Sequence, residues 1–326
     1  MDISVVVPVY NEEESLPELA LWIKSVMDHN GFSYELIMVD DGSKDKSWQV
    51  IRNLERENHH IKGIKFRRNY GKSAALFCGF DIVQGDVVIT MDADLQDSPD
   101  EIPGLYKMIT EEGYDLVSGW KKKRRDPVLT KNLPSKFYNW TARRISGIKL
   151  HDMNCGLKAY RKNVVKSIEV YGDMHRYIPV LAKWAGYGNI GEKVVVHSER
   201  KYGVTKFGVE RFIRGPLDLL SVMFISRFVK RPMHFFGVLG VLMIIIGLAA
   251  AIYLGVQKII QLQHGITGNL ITNSPYFFIA LTSVIIGAQF FLAGFLGELI
   301  SRSATDRNKY QIDERTFELP EKPLVR

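Results

Sequence analysis

The sequence predicts an α/β protein with a doubly wound, mainly parallel sheet, followed by interfacial amphipathic helices and two transmembrane helices. Strand-like and helix-like segments alternate over residues 1–200, which is typical of parallel sheets covered by helices. Polar clusters follow several of these strands, where such sheets bind ligands. Two long runs without Asp, Glu, Lys or Arg stand near the end of the chain and predict membrane spans.

The first predicted strand is ISVVVPV, a continuous apolar run suited to a strand that is buried on both faces. The other predicted strands are YELIMVD, IKGIKF, DVVITMD and YDLVSGW. Helices are expected after the first three strands, beginning near Glu12, near Asp45 and within KSAALFCGFDIV. This alternation predicts βαβ units and therefore a parallel arrangement.

The two uncharged runs are Met233–Gln257 and Pro275–Gly297. Roughly 20 apolar residues cross a bilayer as a helix, and two such runs are hard to house as core helices of a soluble domain. Basic residues flank the pair, in SRFVKRP before it and SRSATDRNK after it, whereas the intervening loop carries only Lys258. Since basic flanks stay inside, we expect an inner-membrane protein with both termini and the catalytic domain in the cytosol.

The segment before the first span, residues 206–232, mixes apolar and basic residues. A basic amphipathic helix of this kind lies in the membrane interface; the alternative is a surface helix of the soluble domain. The expected organisation is a cytosolic domain at 1–205, amphipathic helices at 206–232, a two-helix membrane region at 233–301 and a cytosolic tail at 302–326.

The formal net charge of +7 is compatible with an acidic substrate, an anionic membrane surface or nucleic acid. No nucleic-acid-binding motif accompanies the charge, so no nucleic-acid partner is expected. The two cysteines, Cys78 and Cys155, are far apart, which argues against a disulfide scaffold or a structural zinc site. We expect both to be buried small residues.

Three polar clusters end predicted strands: Tyr10-Asn11-Glu12, Asp40-Asp41-Gly42-Ser43 and Asp92-Ala93-Asp94. The dinucleotide motif G-x-G-x-x-G is absent from the first turn, and YGKS has Phe66 where a phosphate loop needs glycine. The acidic run TMDADLQDSPD needs a positive charge, because neighbouring carboxylates repel. Mg²⁺ or Mn²⁺, brought with a diphosphate, would supply it. The alternative is a solvated acidic turn that caps the next helix, which fits Asp97, Ser98 and Asp100 best.

Two basic groups are candidates for the remaining phosphate charge: WKKKRRD at 120–126 and SERKYGVTKFG at 198–208. A phosphate role is favoured for Lys121, Arg200 and Lys206. A solvated basic face is an equal alternative for three further residues of the first group, Lys122, Lys123 and Arg125.

The ordered motifs VVVPVYNEE, VDDGSKD, NYGKSAALFCGF, MDADLQD, HDMNCGLKAYR and KYGVTKFG, followed by two terminal spans, resemble the polyprenyl-phosphate glycosyltransferases of the GT-A fold. The resemblance covers almost the whole chain and is nearest to the bacterial bactoprenol glucosyltransferases. It implies inverting transfer of a sugar, glucose from UDP-glucose, to undecaprenyl phosphate. A donor such as GDP-mannose is the alternative, and homo-oligomerisation is left open.

The resemblance also implies residue roles. Pro8, Tyr10, Glu12, Val39, Asp41, Asp92, Ala93 and Lys121 would bind the nucleotide sugar. Asp92, Asp94 and Gln96 would hold the metal, and Asp94 would thereby serve catalysis. Arg200 and Lys206 would bind phosphate. Asp152 would be the catalytic base or an orienting residue, since a phosphate monoester with a second pKa near ~6 is already ionised at neutral pH.

Two rivals compete with this interpretation. A processive polysaccharide synthase carries Q-x-x-R-W, and the dipeptide RW does not occur in the chain. A non-catalytic carrier or regulator that binds nucleotide sugars is the other rival. Neither predicted span carries a charged residue that would mark a transport path.

Overall fold

The computed structural model describes residues 1–122, 147–198, 201–202, 232–265, 270–303 and 312–316. The chain divides between Leu219 and Leu220 into two compact units, and Arg307–Arg326 belong to the first of them. The predicted amphipathic helices at 206–232 lie, apart from Pro232, outside the described residues.

The first unit is built around one sheet, which has eight strands in the described part of the chain. The strands are β1 (Ile3–Val9), β2 (Tyr34–Asp40), β3 (Ile61–Phe66), β4 (Val87–Thr90), β5 (Leu116–Trp120), β6 (Lys158–Arg161), β7 (Ile190–Val194) and β8 (Ile312–Arg315). The helices of this unit are α1 (Leu16–Asn30), α2 (Ser47–Glu57), α3 (Lys72–Ile82), α4 (Ile102–Thr110), α5 (Lys162–Ser167) and α6 (Ile178–Trp184).

The strand order is β7-β5-β6-β4-β1-β2-β3-β8. The pairs β1–β2, β1–β4, β2–β3 and β5–β7 are parallel, while β6 runs antiparallel between β4 and β5. The predicted mainly parallel, doubly wound sheet is thus confirmed. Because β1, β2 and β4 are parallel neighbours, their carboxyl ends meet at one edge, and the three predicted polar clusters follow there.

The strands form because their residues can be buried from both sides. All seven residues of β2 are buried, including the charged residue Glu35. Its carboxylate accepts hydrogen bonds from the Ser4 hydroxyl at 2.5 Å and the Lys62 ammonium at 2.7 Å, so the charge is satisfied. Cys78 and Cys155 are buried free thiols, as predicted.

The last strand, β8, comes from the segment for which only a tail was expected. It pairs antiparallel with β3, and its register places Arg315 opposite Ile64. Thr316 extends the pairing: its N–H donates to the Gly63 carbonyl at 3.0 Å, and its Oγ1 accepts from the Gly63 N–H at 2.5 Å. The end of the chain is therefore part of the same sheet as its beginning.

The second unit contains α7 (Pro232–Gln263) and α8 (Pro275–Ser303). Both helices are long and apolar enough to cross a membrane, over Phe235–Gln263 and Pro275–Gly297, and 17% of each span is buried. Helices this exposed are not core helices of a soluble domain, which agrees with the prediction of two spans.

The two long helices pack closely at small residues. A Cβ on Gly240 would lie 2.5 Å from the Gly287 carbonyl oxygen, and one on Gly287 would lie 2.7 Å from the Gly240 oxygen. A Cβ on Gly247 would meet the Ala280 oxygen at 2.7 Å. These pairs recur at a spacing of seven residues along both helices, so the backbones touch along a seam that larger side chains would force apart.

Candidate active site

The loops after β1 and β2 are tied together by short polar contacts. The N–H of Asn11, a residue in the left-handed region with φ 52°, donates to Ser43 Oγ at 2.9 Å. The N–H of Lys44 donates to Asn11 Oδ1 at 2.8 Å. The N–H of Glu12 donates to Ser47 Oγ at 2.9 Å. Tyr10 and Glu12, two of the predicted nucleotide-binding residues, therefore stand on a loop that is fixed against the next one.

Asp41 extends this arrangement to a third loop. Its buried carboxylate accepts from the N–H of Tyr70 at 2.6 Å and of Gly71 at 2.9 Å, directly before α3. Burial raises the pKa of Asp41 to about 6, although these two N–H donors favour the charged form. Two other predicted residues, Pro8 and Val39, are register partners within the sheet, and Val39 has no exposed surface.

Asp92 and Asp94 follow β4 at the same edge. Asp94 and the intervening Ala93 are buried, and Asp94 Oδ1 accepts from the N–H of Gln96 at 3.2 Å. The turn between them uses Leu95 in the left-handed region, with φ 60°. The Asp92 side chain is 36% exposed and forms an ion pair with Lys72 at the start of α3. One carboxylate of the pair is thus accessible, and the other is held by the backbone.

Gly156 brings the chain against Asp92. A Cβ at Gly156 would lie 2.5 Å from Asp92 Oδ2, so only glycine allows the loop before β6 to approach this carboxylate. The acidic site is closed on this side by backbone.

Asp97 differs from its acidic neighbours. It is only 1% exposed, and its Oδ1 lies 2.8 Å from the Lys121 ammonium and 3.6 Å from His197 Nδ1. Burial alone would raise the pKa of Asp97, but the adjacent His197 and the charge of Lys121 lower it to about 2. For Lys121, burial would lower the pKa, and the charge of Asp97 raises it.

The prediction that Asp97 is a solvated capping residue is therefore wrong, because the residue is a buried ion-pair partner. The capping role is confirmed for Ser98, whose Oγ accepts from the N–H of Asp100 at 3.2 Å, at the 3-10 turn Pro99–Glu101. Asp100 also accepts from Trp22 Nε1 at 3.0 Å. The structure places Lys121 against Asp97, so its contact with donor phosphates stays a prediction.

Lys122 lies beside an aromatic stack, with its ammonium 5.6 Å from the centre of the Trp120 ring. That ring stacks on His151 at 4.1 Å. Lys123 and Arg125 lie outside the described residues.

Asp152 is buried in the segment that leads to β6. Its Oδ1 accepts from the N–H of Asn154 at 3.2 Å, and its carbonyl accepts from the Ser118 hydroxyl at 3.2 Å. The contact with Ser118 ties Asp152 to β5. The carboxylate is thus fixed in place rather than carried on an exposed loop.

The second basic segment begins beside the acidic loop. The N–H of Ser198 donates to the Gln96 carbonyl at 2.9 Å, and Lys201 reaches Glu18 on α1 at 2.7 Å. Arg200 and Lys206, the predicted phosphate ligands, lie outside the described residues. The two contacts attach Ser198 to the acidic loop and Lys201 to α1.

Three basic residues of the site were not predicted: Lys72, Lys158 and His175. Lys72 could have been found, because it follows the third strand at the edge where ligands bind. Lys158 and His175 carry no sequence signal, since LKAYR and DMHRY read as ordinary segments. They converge because the antiparallel strand β6 lies next to β4.

The donor set at the sheet edge fits a hard divalent cation. Asp92, Asp94 and Gln96 offer oxygen atoms only, which Mg²⁺ and Mn²⁺ prefer. Across the described ranges, no group of three or more His, Cys, Asp or Glu side chains could hold a metal ion. A site with two carboxylates needs further ligands from substrate, which a diphosphate would supply.

Comparison of the sequence with known protein families identifies the family to which this chain belongs. The profile of glycosyl transferase family 2 matches residues 4–169. The chain belongs to glycosyltransferase family 2.

Two relatives of this glycosyltransferase align over nearly its whole length. Dodecaprenyl-phosphate galacturonate synthase from Rhizobium johnstonii is 37% identical over 93% of this chain and 88% of its own length. Undecaprenyl-phosphate 4-deoxy-4-formamido-L-arabinose transferase from Shewanella sediminis is 37% identical over 96% of this chain and 92% of its own length.

Solved structures confirm the GT-A fold of the glycosyltransferase domain. Glucosyl-3-phosphoglycerate synthase from Mycobacterium tuberculosis, with Mn²⁺, UDP and glucosyl-3-phosphoglycerate, has a TM-score of 0.53 and 21% identity over 69% of this chain and 79% of its own. Mannosyl-3-phosphoglycerate synthase from Rubrobacter xylanophilus has a TM-score of 0.54 and 15% identity over 69% of this chain and 74% of its own. At these identities the likeness shows the fold alone.

Proposed function

We propose that this glycosyltransferase moves a sugar from a nucleotide sugar to the phosphate of a polyprenyl phosphate, at the cytosolic face of the membrane. The observation that carries the proposal is the joint presence, in one chain, of the Asp92–Asp94 edge and two apolar helices. Relatives named for this acceptor class align over more than nine-tenths of the chain, helices included. Helices of spanning length fit an acceptor that is itself a membrane lipid better than they fit a soluble acceptor.

Asp92, Asp94 and Gln96 would hold Mg²⁺ or Mn²⁺, which, when bound, neutralises the diphosphate charge that develops as the glycosidic bond breaks. The oxygen-only donor set supports this role. So does the Mn²⁺ in the solved glucosyl-3-phosphoglycerate synthase with UDP. Lys72 forms an ion pair with Asp92, so a metal ion at this carboxylate would join or replace the ammonium.

The residues after β1 and β2 bind the nucleoside in this proposal. Pro8 lies near the end of β1, Tyr10 and Glu12 stand on the loop that follows it, and Asp41 stands on the joined loop after β2. Asp41 acts indirectly in this proposal. Its carboxylate accepts from the N–H groups of Tyr70 and Gly71 and so positions the start of α3. An Ala at this position would release both N–H groups, and an Asn, whose amide nitrogen cannot accept, would release one of them.

Asp152 and the basic pair serve the acceptor. An ionised lipid phosphate is itself the nucleophile, so direct displacement with inversion needs little help from a base. The fixed, buried setting of Asp152 supports an orienting role. Arg200 and Lys206 would clamp the phosphate, Arg through its planar fork and Lys as a point charge.

The pairing within the sheet supports the proposed sidedness of the membrane region. Because β8 pairs with β3, residues 312–316 lie on the same side of any membrane as the catalytic domain. The chain between them must cross an even number of times, which two spanning helices satisfy. The basic flanks then place both ends in the cytosol.

The sugar is the least constrained part. The resemblance favours glucose from UDP-glucose, with GDP-mannose as an alternative donor. The names of the aligned relatives carry galacturonate and 4-deoxy-4-formamido-L-arabinose instead. All four classes therefore belong in the test.

The test is transfer by the purified full chain in detergent. Undecaprenyl phosphate is mixed with a panel of UDP- and GDP-sugars and Mg²⁺ or Mn²⁺, and the mass of the lipid product is measured. We expect the lipid to gain the mass of one sugar residue of the donor, and EDTA to abolish this gain. Nucleotide binding without any lipid product would contradict the proposal and favour a carrier or regulator.

A further inference from the structure

A narrow cleft beside Asp92 is lined by basic and polar side chains that the proposed reaction has not used. It lies between the sheet face of β4 and β6 and the helices α3 and α6. Its lining includes Lys72, Asn154, Lys158 and His175. The inner part admits a group about the size of one water molecule.

Lys158 is the unusual member of this lining. Its side chain starts from β6 and is only 3% exposed. Its ammonium donates to the Cys155 carbonyl, and in the part of the chain that the structure describes no carboxylate lies within ion-pair distance of it. Burial accordingly lowers the pKa of Lys158. A buried ammonium with one neutral acceptor is costly unless an anion joins it.

His175 adds a second donor. Burial lowers its pKa well below the ordinary value, so the ring is neutral at physiological pH. Ser73 Oγ lies 3.0 Å from His175 Nδ1, and the same oxygen accepts from the backbone N–H of His175 at 3.0 Å. We assign the ring proton to Nε2, because the Ser73 hydroxyl can then donate to Nδ1; in this tautomer Nε2 is a hydrogen-bond donor.

The opening of the cleft adjoins Asp92, where the proposed function puts the donor diphosphate. Gly156, which touches the Asp92 carboxylate, is part of its lining, and Lys72 joins Asp92 to the same cleft. A nucleotide sugar with its diphosphate at Asp92 and Asp94 therefore has its sugar next to this opening. The diphosphate itself is too large for the inner part.

We propose that Lys158, with His175 and Lys72, binds a carboxylate on the transferred sugar, so that the donor is a nucleotide-activated uronic acid. This inference rests on the proposed function and names its substrate class. One oxygen of the carboxylate, about the size of a water molecule, would enter the inner part and accept from the Lys158 ammonium and from His175 Nε2. The sugar ring would stay beside Asp92, outside the narrow inner part of the cleft.

The test compares matched donors that differ only at this group. Purified full-length protein is given undecaprenyl phosphate with UDP-glucuronate or UDP-glucose, UDP-galacturonate or UDP-galactose, and GDP-mannuronate or GDP-mannose. We expect kcat/KM for one uronate to exceed that of its neutral partner at least tenfold. Transfer of neutral sugars with equal or greater efficiency would overturn the inference and leave the proposed function intact. Transfer only from another donor of the wider panel would overturn the inference alone, and no transfer from any donor of either set would overturn both.

Lys158→Met tests the residue, and Lys166→Met on the exposed end of α5 is the matched control. We expect Lys158→Met to lose the preference for the uronate while UDP binding, measured by calorimetry, is unchanged. The control should keep both. An equal loss on both members of each donor pair would indicate a structural role and overturn the assignment. A raised KM for the lipid, with the donor preference kept, would assign the anion to the acceptor phosphate and overturn it as well. If Lys158→Met does not fold, the preference of the wild-type protein for a uronate over its neutral partner still tests the proposed substrate class.

Discussion

Carboxylates that the sequence crowds into one run are separated in the structure by the cations that accompany them. Asp92 meets Lys72, Asp97 meets Lys121, and Asp94 is held by the N–H of Gln96. The sequence predicted that a positive charge was needed and assigned it to a metal. It did not pair Lys72 and Lys121 with these carboxylates, because each lysine reaches its partner from a different strand end.

Replacing Asp97 by Asn should destabilise the domain. The change leaves Lys121 buried without its partner, a loss of about 3 kcal/mol. Thermal unfolding of the detergent-solubilised protein measures it, and the double variant Asp97→Asn, Lys121→Met should recover part of the loss. Equal melting temperatures for wild type and the single variant would contradict the buried pair.

The same pair sets a pH dependence. The folded pKa of Asp97, about 2, lies below the unfolded value of 3.8. Its stabilisation is therefore present above pH 3.8 and is lost as the pH falls through about 2. Acid unfolding of wild type should be steeper in this window than that of the double variant.

Asp94→Asn should abolish sugar transfer with little effect on melting temperature. Its carboxylate is proposed to hold the cation against the diphosphate, so metal-dependent nucleotide binding should fall with it. Calorimetry with UDP and Mn²⁺ measures the loss. Asp100→Asn, at a capping turn in the same acidic run, is the control and should bind as wild type does. Full activity in Asp94→Asn would remove this residue from the metal site.

Among the elements, the continuous apolar strands were predictable and the short mixed ones were not. The continuous apolar sequences of β1 and β2 predict strands, and the structure buries both strands almost completely. β6, β7 and β8 read KAYR, IGEKV and IDER, and only their partners in the sheet make them strands. Pairing over long sequence separations leaves no local pattern, so the antiparallel strand that carries Lys158 was missed.

Replacing a glycine in the seam between α7 and α8 by a larger residue should weaken the packing of the two helices. Gly287→Leu places side-chain atoms where the Gly240 carbonyl and Ile244 stand, so the helices must separate. We expect a lower melting temperature and loss of transfer. Gly255→Leu, where a Cβ would meet nothing within 4 Å, makes the same change on an open face of α7. Identical behaviour of the two variants would show that the seam contributes nothing.

For the whole molecule, the sequence predicted two spans, and the sheet adds a constraint on their direction. Strand β8 belongs to the same unit as the start of the chain, so we propose that both ends lie on one side of the membrane. Reporter fusions at Met1 and Arg326 should score as cytosolic, and a reporter between α7 and α8 should score on the opposite side. A C-terminal reporter outside the cell would contradict both the basic-flank argument and the β3–β8 pairing.

The β3–β8 pairing also bears on the order of events during translation. Strand β3 leaves the ribosome early, whereas β8 follows only after both apolar helices have been made. Throughout that interval β3 presents an open edge, which is a template for pairing with other chains. The closing strand is short, and the entropic cost of the long loop grows only slowly with its length. A chain released before Ile312 would thus keep a nearly complete catalytic domain with an aggregation-prone edge, so that completion of synthesis is itself what protects the sheet.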